Sequence, residues 1–321
     1  MRPDRAPVVV GIGGAGTSDP AVEWASAEAA SRGCPLHLVH AYQPPLCADP
    51  CGVLPPVDGL VAAREEAEEA LAGAVARARA VASDGEVSTA LLLGAPARAL
   101  LDAARGACLL VLGRPGPGGL RGLLGRSVPV RVSVQARCPV VVIGAPRGEG
   151  VPDPSPPRVV VGVDASESSA AAVGFGFRAA RRRGVPLFAV HAWTPDPPAD
   201  LEGVAAPRST AEALARGTLE RALDRWEPAF PDVPVHGALV CGDPEHALVS
   251  RSRGAALLVV GTSGRGRLLG TALGPVGRAA LHRGDCPIAI IRHDHPRIAW
   301  SPAAPGREHG GSGRWSTPWP T

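Results

Sequence analysis

Lysine is absent from this chain: all 33 basic side chains among its 321 residues are arginine. Two chemistries leave with the ammonium group, because a Walker P-loop needs it on the phosphates and a Schiff-base enzyme needs it as nucleophile. Uniform arginine usage reads as a coding bias. Also missing is the strongly basic footprint of a nucleic-acid-binding protein, since 33 basic groups face 30 acidic ones for a net charge of +3. No run of 18 apolar residues occurs, and the opening MRPDRAPVVVGIGGAGTSDP holds too short an apolar stretch for a signal peptide. The expectation is a cytoplasmic protein with neither a membrane nor a nucleic-acid partner.

Aromatic residues are scarce as well, 3% against 45% hydrophobic, so Ala, Val and Leu must fill the core. Such cores suit buried parallel strands beneath Ala-rich helices. Seven cysteines contain no C-x-x-C pair, and several sit in apolar runs, as Cys108 does in ACLLVLG. They are expected to be buried thiols in a reducing compartment. Cys47 and Cys51 have no histidine at ligand spacing, and no metal set or Ser-His-Asp constellation is recognisable. His40 and His191 lie at strand ends without a paired carboxylate and read as structural. Asp243 and Glu245 read as a solvated helix start, and Arg181-Arg182-Arg183 as a helix end whose cations complement the dipole. No catalytic turnover is expected.

What is present is a repeat. The length favours two units of about 150 residues, and VVVGIGGAG at Val8 is answered by VVVGVDASE at Val159. LHLVHAYQP at Leu36 returns as LFAVHAWTP at Leu187, in the same register. Later landmarks shift by three residues: Gly94 pairs with Gly242, GRPG at Gly113 with GTSG at Gly261, and RCPVVVI at Arg137 with DCPIAII at Asp285. The first copy shows strands near Val8–Ile12, Leu36–Ala41, Val87–Leu93, Cys108–Leu112 and Val140–Ile143, with helical segments between them. Thr17-Ser18-Asp19-Pro20 supplies a cap and an early proline, and Gly33 a helix stop. Alternation of this kind gives a parallel sheet with helices on both faces. The predicted organisation is a first domain over 1–145, a Pro/Gly-rich linker over 146–157, a second domain over 158–293, and a disordered tail over 294–321.

Gly11, Gly13 and Gly16 spell G-x-G-x-x-G, yet a dinucleotide site also needs an acidic residue at the end of the second strand. The second strands run instead into His40-Ala41-Tyr42 and His191-Ala192-Trp193, and the repeat of GIGGAG is GVDASE, which keeps only Gly162. A Rossmann dehydrogenase is excluded. More informative is the loop after the fourth strand. The second copy has Gly261-Thr262-Ser263-Gly264, nine residues, then Gly274-Pro275-Val276; the first has Gly113-Arg114-Pro115-Gly116, nine residues, then Arg126-Ser127-Val128. A glycine-rich turn leaving a strand's carboxyl end lets backbone N–H groups approach an anion, and a following helix N-terminus adds its dipole.

Taken across both halves, the paired VVVG starts, the VDAS of the second copy, the H-A-Y/W after strand two, the turns at Gly94 and Gly242 and the two glycine loops resemble a tandem universal stress protein. That is two UspA-type domains in one polypeptide, the actinobacterial arrangement. The resemblance implies an α/β fold, each domain a five-stranded parallel sheet of order 3-2-1-4-5 with helices on both faces. RCPVVVI and DCPIAII would then pair two domains, within the chain or between chains, which leaves a homodimer open. It further implies adenine-nucleotide binding, ATP with Mg²⁺ as cofactor, in a stress response that acts through conformation and an unidentified protein partner.

Carried over by position, the second nucleotide site would use Asp164, Ala192, Gly242, Gly261, Gly264, Gly274 and Val276. The first would use Ala41, Gly94, Gly113, Gly116, Arg126, Ser127 and Val128. Both depart from the family pattern. Gly13 stands where the first site would have the aspartate and Arg126 where the family keeps glycine, while Pro115 and Pro117 lack N–H donors. In the second, Pro275 replaces a Ser or Thr. Each missing charge-assisted bond to phosphate is worth about 1.5–3 kcal/mol, on the order of 10- to 100-fold in affinity. Three readings therefore stay open: an ATP-binding or ATP-sensing protein, a degenerate scaffold that binds no nucleotide and serves as an interaction module, and, with the least support, an ATP-hydrolysing enzyme, which lacks a placed general base and a Mg²⁺ carboxylate pair. Asp164 likewise either contacts nucleotide or caps the helix that begins near Ser166.

Overall fold

Runs such as VVV at Val8, LLVLG at Leu109 and VVVI at Val140 leave no polar face, so each can only be a strand covered on both sides. The computed structural model describes residues 6–13, 18–42, 57–114, 127–144, 156–194, 208–262 and 273–293, and the chain divides into two units, 1–145 and 146–321. The linker other than residues 156 and 157, the tail, and Cys47 and Cys51 lie outside the described residues.

In the first unit β1 (Val8–Ile12), α1 (Asp19–Arg32), β2 (Leu36–Tyr42), α2 (Val57–Val81), β3 (Val87–Leu93), α3 (Pro96–Ala103), β4 (Leu109–Gly113), α4 (Val128–Gln135) and β5 (Val140–Ile143) follow in turn. Their strands are all parallel in the order β3-β2-β1-β4-β5. α1 and α2 pack together on one face and α3 and α4 on the other, so the central strand is sealed: Val8, Val9 and Val10 have no exposed surface. The sequence places the fourth strand one residue early. Cys108 N–H does reach Pro7 O at 2.9 Å, but the regular ladder begins with Leu109 opposite Val8.

The second unit repeats the plan with β6 (Val159–Gly162), α5 (Glu167–Arg183), β7 (Leu187–Trp193), α6 (Arg208–Asp224), β8 (Val235–Cys241), α7 (Pro244–Arg251), β9 (Leu257–Gly261), α8 (Pro275–Arg283) and β10 (Ile288–Ile291). Again the strands are parallel, in the order β8-β7-β6-β9-β10. Here the few aromatics gather: Phe177 stacks on Phe230 with centroids 5.4 Å apart, and Trp226 lies beside Phe230. Trp226 fits because Gly174 of α5 presents no side chain to its indole ring.

Both long first helices stop in the same way. Gly33 and Gly184 take left-handed φ of 60° and 63°. The N–H of the next residue, Cys34 or Val185, then reaches back to the carbonyl of Ala29 or Ala180, closing a Schellman-type end that only glycine enters without strain. No helix among the described residues is long and apolar enough to cross a membrane.

Candidate functional site

In a doubly wound sheet the strand order reverses beside the first strand, and a crevice opens there at the carboxyl ends because helices leave to opposite faces. In the second unit the reversal falls between β6 and β9. Asp164 lies just beyond β6. Its N–H donates to Ser169 Oγ at 2.8 Å, and its Oδ1 accepts from Ser166 N–H at 2.7 Å. The cap of α5 is Ser166 itself, whose Oγ accepts from Ser169 N–H at 3.1 Å. Asp164 thus braces the turn ahead of the helix and does not cap it. The first unit repeats half of this: Gly13 N–H donates to Ser18 Oγ at 2.7 Å, and Gly13 has no side chain where the second unit has the Asp164 carboxylate. Ser18 stands at the cap position of α1 but makes no side-chain cap bond there.

Ala192 and Ala41 are half-buried near the ends of β7 and β2, opposite Val240 and Leu92. One position past the third strand of each unit, Gly242 and Gly94 adopt φ of 137° and 134°. Their N–H groups reach Trp193 O and Tyr42 O, each at 2.9 Å. This turn is the same in both units. α7 then begins at the Asp243 cap, whose Oδ2 accepts from His246 N–H at 2.8 Å, while Glu245 pairs with Arg283 at 2.8 Å.

Gly261 closes β9, and the chain beyond it is tied at both ends. Thr262 N–H donates to Ile291 O at 3.0 Å, and Gly274 N–H returns to Thr262 O at 2.8 Å. Gly274 is the cap residue of α8 and Val276 lies in its first turn behind Pro275, which has no N–H. A Cβ on Gly261 would lie 2.6 Å from Ser168 Oγ and 3.0 Å from the Ser168 backbone. The geometry at Gly261 therefore serves the close approach of α5 to β9, a need that the glycine-loop spacing does not reveal.

In the first unit Gly113 ends β4 and Arg114 N–H donates to Ile143 O at 2.7 Å, the counterpart of Thr262 on Ile291. The Arg114 guanidinium lies over Gly144, where a Cβ would collide with it. Ser127 is the cap residue of α4, without a side-chain cap bond, and Val128 opens the helix ahead of Pro129. Gly116, Arg126 and Gly264 lie outside the described residues. The sequence pattern presents Ser18 only as a helix cap and gives no role to Ser169 or to the Arg114 side chain. A signal for the two serines exists in their shared spacing of five residues from Gly13 and Asp164.

The paired histidines differ. His191 Nδ1 donates to Val163 O at 2.7 Å, whereas the buried His40 Nδ1 has no hydrogen-bond partner among the described residues. Burial holds the ionisation of His40 below the ordinary histidine value, with Glu66 opposing the shift. The cysteines are less uniform than their apolar surroundings suggest: Cys138 and Cys286 are buried, Cys34 and Cys108 half-buried, and Cys241 exposed at the end of β8. Burial pushes the Cys138 thiol up to about 12 and the Cys286 thiol up to about 11. Among the described residues no group of three or more His, Cys, Asp and Glu could hold a metal ion.

Comparison with known proteins matches this doubled architecture. The model of the universal stress protein family fits residues 5–144 and again 157–292. A universal stress protein of Mycobacterium tuberculosis is 38% identical over 292 residues, spanning 89% of this chain and 96% of that protein. One of Mycolicibacterium smegmatis is 31% identical over the same coverage. In three dimensions, a universal stress protein of Archaeoglobus fulgidus covers 89% of this chain and 96% of its own at a TM-score of 0.64, with 16% sequence identity. With two family domains that repeat one fold and one set of turns, this chain belongs to the universal stress protein family.

Proposed function

We propose that the second unit binds an adenine nucleotide, ATP in the first instance, in the crevice at the carboxyl ends of β6, β7 and β9, and that the protein signals its nucleotide state to a protein partner without turning ATP over. One observation carries the reading: the Gly274 N–H to Thr262 O bond of 2.8 Å returns the start of α8 to the end of β9. That return brings the positive end of a helix dipole to the switch point, where an anionic group gains from it. Asp164 and Ala192 stand at the neighbouring strand ends, suited to polar and apolar edges of a base and ribose. Asp164 gives one lone pair to Ser166 N–H and, as a carboxylate, keeps capacity for more donors. Mg²⁺ would arrive with the triphosphate, because the described residues offer no acidic cluster to hold it alone.

A second reading has its own support. Gly13 leaves the first unit without a carboxylate at the matching place, and Pro275 removes an N–H from the first turn of α8. A chain that has lost both sites would serve as an interaction scaffold. The deciding experiment purifies the protein without added nucleotide, denatures it, and identifies and counts the released small molecules by mass spectrometry. About one ATP or ADP per chain supports binding in a single unit. No released nucleotide and no heat on ATP titration would overturn the nucleotide reading in favour of the scaffold.

A further inference from the structure

Cys34 Sγ and Cys108 Sγ lie 3.9 Å apart, although 74 positions separate them in the chain. We propose that this pair is a reversible disulfide site that reads hydroperoxides, at the end of the first unit opposite the carboxyl-end crevice. Topology brings the thiols together. β1 runs between β2 and β4, with Val8 opposite both Leu36 and Leu109. Cys34 stands two residues before Leu36 and Cys108 one before Leu109, so both sit at the amino edge, flanking the entry to β1.

The geometry is close to bond formation. An S–S bond spans about 2.0 Å, so forming it draws the two sulfurs together by about 2 Å from their present separation. Cys34 sits on the short connection after the left-handed Gly33, and its Sγ points toward Arg32 O at 3.8 Å. Both thiols are half-buried, so a small oxidant can reach them while the unit stays folded. Arg32 acts on Cys108 in the sense that favours its thiolate, but burial outweighs it and pushes that thiol up to about 11. Cys138 is close enough for its thiol to be disfavoured by Cys108, yet it is buried where the pair is half-buried.

The chemistry balances as two steps with hydrogen peroxide as the oxidant. Cys34 as thiolate attacks one peroxide oxygen, an S–O bond forms, the O–O bond breaks, and hydroxide leaves to take up the proton released by the thiol. Cys108 then attacks the sulfur of the Cys34 sulfenic acid, the S–S bond forms, the S–O bond breaks, and water leaves with the Cys108 proton. Two thiols are oxidised and one peroxide is reduced to two waters. A dithiol reductant reverses the change through a mixed disulfide. The second unit carries Val185 and Ala256 at the corresponding positions, so the device belongs to the first unit alone.

The test treats the full chain with hydrogen peroxide under native conditions, blocks free thiols, digests after arginine and maps linked peptides by mass spectrometry. Cys47 and Cys51 share an arginine-bounded peptide with Cys34, so Cys34→Ser and Cys108→Ser chains run in parallel. The expected result is a linked Cys34–Cys108 peptide pair with the loss of two hydrogens, absent in either variant and reversed by dithiothreitol. Its yield at fixed time should rise as pH is raised from about 7 toward 10, as more Cys108 becomes thiolate. The oxidised wild-type chain should also melt at least about 4 °C higher than its reduced form, because the bond closes a long loop. Persistence of the link in Cys34→Ser would assign it to Cys47 or Cys51 and overturn the proposal. So would both thiols remaining free, or Cys34 advancing to a sulfinic acid with Cys108 still alkylatable. None of these outcomes bears on nucleotide release, so the two readings fail separately.

Discussion

Asp164 N–H donates to Ser169 Oγ at 2.8 Å, and Gly13 N–H donates to Ser18 Oγ at 2.7 Å. Both units therefore aim the chain leaving their first strand with one serine hydroxyl from the start of the following helix. Only the second unit adds a carboxylate to this turn. Ser169→Ala should lower the unfolding free energy by about 1 kcal/mol, since a partly buried N–H loses its acceptor. Chemical denaturation would read this, and a change below the error of the measurement would show that the bond adds nothing to stability.

Asp164 has two separable properties, its hydrogen-bond acceptor toward Ser166 and its charge. Asp164→Asn keeps the acceptor and loses the charge; Asp164→Ala loses both. If the crevice holds a nucleotide, Asp164→Ala should weaken ATP binding by about 10- to 100-fold by calorimetry. Asp164→Asn should melt close to wild type while Asp164→Ala melts lower. Equal ATP affinity in all three chains would take Asp164 out of the site.

Gly242 and Gly94 have open space where a side chain would go, but their φ of 137° and 134° is disfavoured for any other residue. Gly242→Ala and Gly94→Ala should each destabilise their own unit by about 1–3 kcal/mol with no steric clash involved. Gly174→Ala offers the contrast, an ordinary helical position whose new methyl would run into Trp226. It should cost a similar amount through overpacking and disturb Trp226 fluorescence, which the two turn variants should leave unchanged.

Burial lowers the ionisation of both His37 and His40 from an ordinary value of 6.5. In the window just below that value the unfolded chain takes up protons that the folded chain refuses. Stability from these groups is therefore full above about pH 6.5 and is lost as pH falls toward their folded values. Thermal melts between about pH 7.5 and 5.5 should show the decline, and His40→Gln should make it shallower. An unchanged slope in that variant would exclude His40 as a contributor.

Much of the architecture is legible in the residues themselves. Strands such as Val8–Ile12 and Val140–Ile143 are short apolar runs that admit one answer, and Gly33 and Gly184 mark helix ends because no other residue enters their conformation easily. The turns at Gly94 and Gly242 stand out as a matched pair. Less legible is the division of labour at the candidate site. Gly261 looks like part of an anion loop by spacing, whereas its neighbour in space is Ser168 on the helix packed over β9. Asp164 looks like a helix cap by position, whereas Ser166 takes that place and Asp164 supports it.

The order of residues alone determined the doubling, the parallel α/β plan and the glycine-dependent turns, because hydrophobic period and backbone freedom act over a few residues at a time. Tertiary structure decided which distant groups meet. Cys34 and Cys108 become neighbours because the strands they precede both pair with β1 at Val8. His40 and His191, matched in sequence, part company because His191 finds a carbonyl at 2.7 Å while the His40 Nδ1 finds no partner among the described residues. Such contacts depend on strand order and helix placement, which no local pattern encodes.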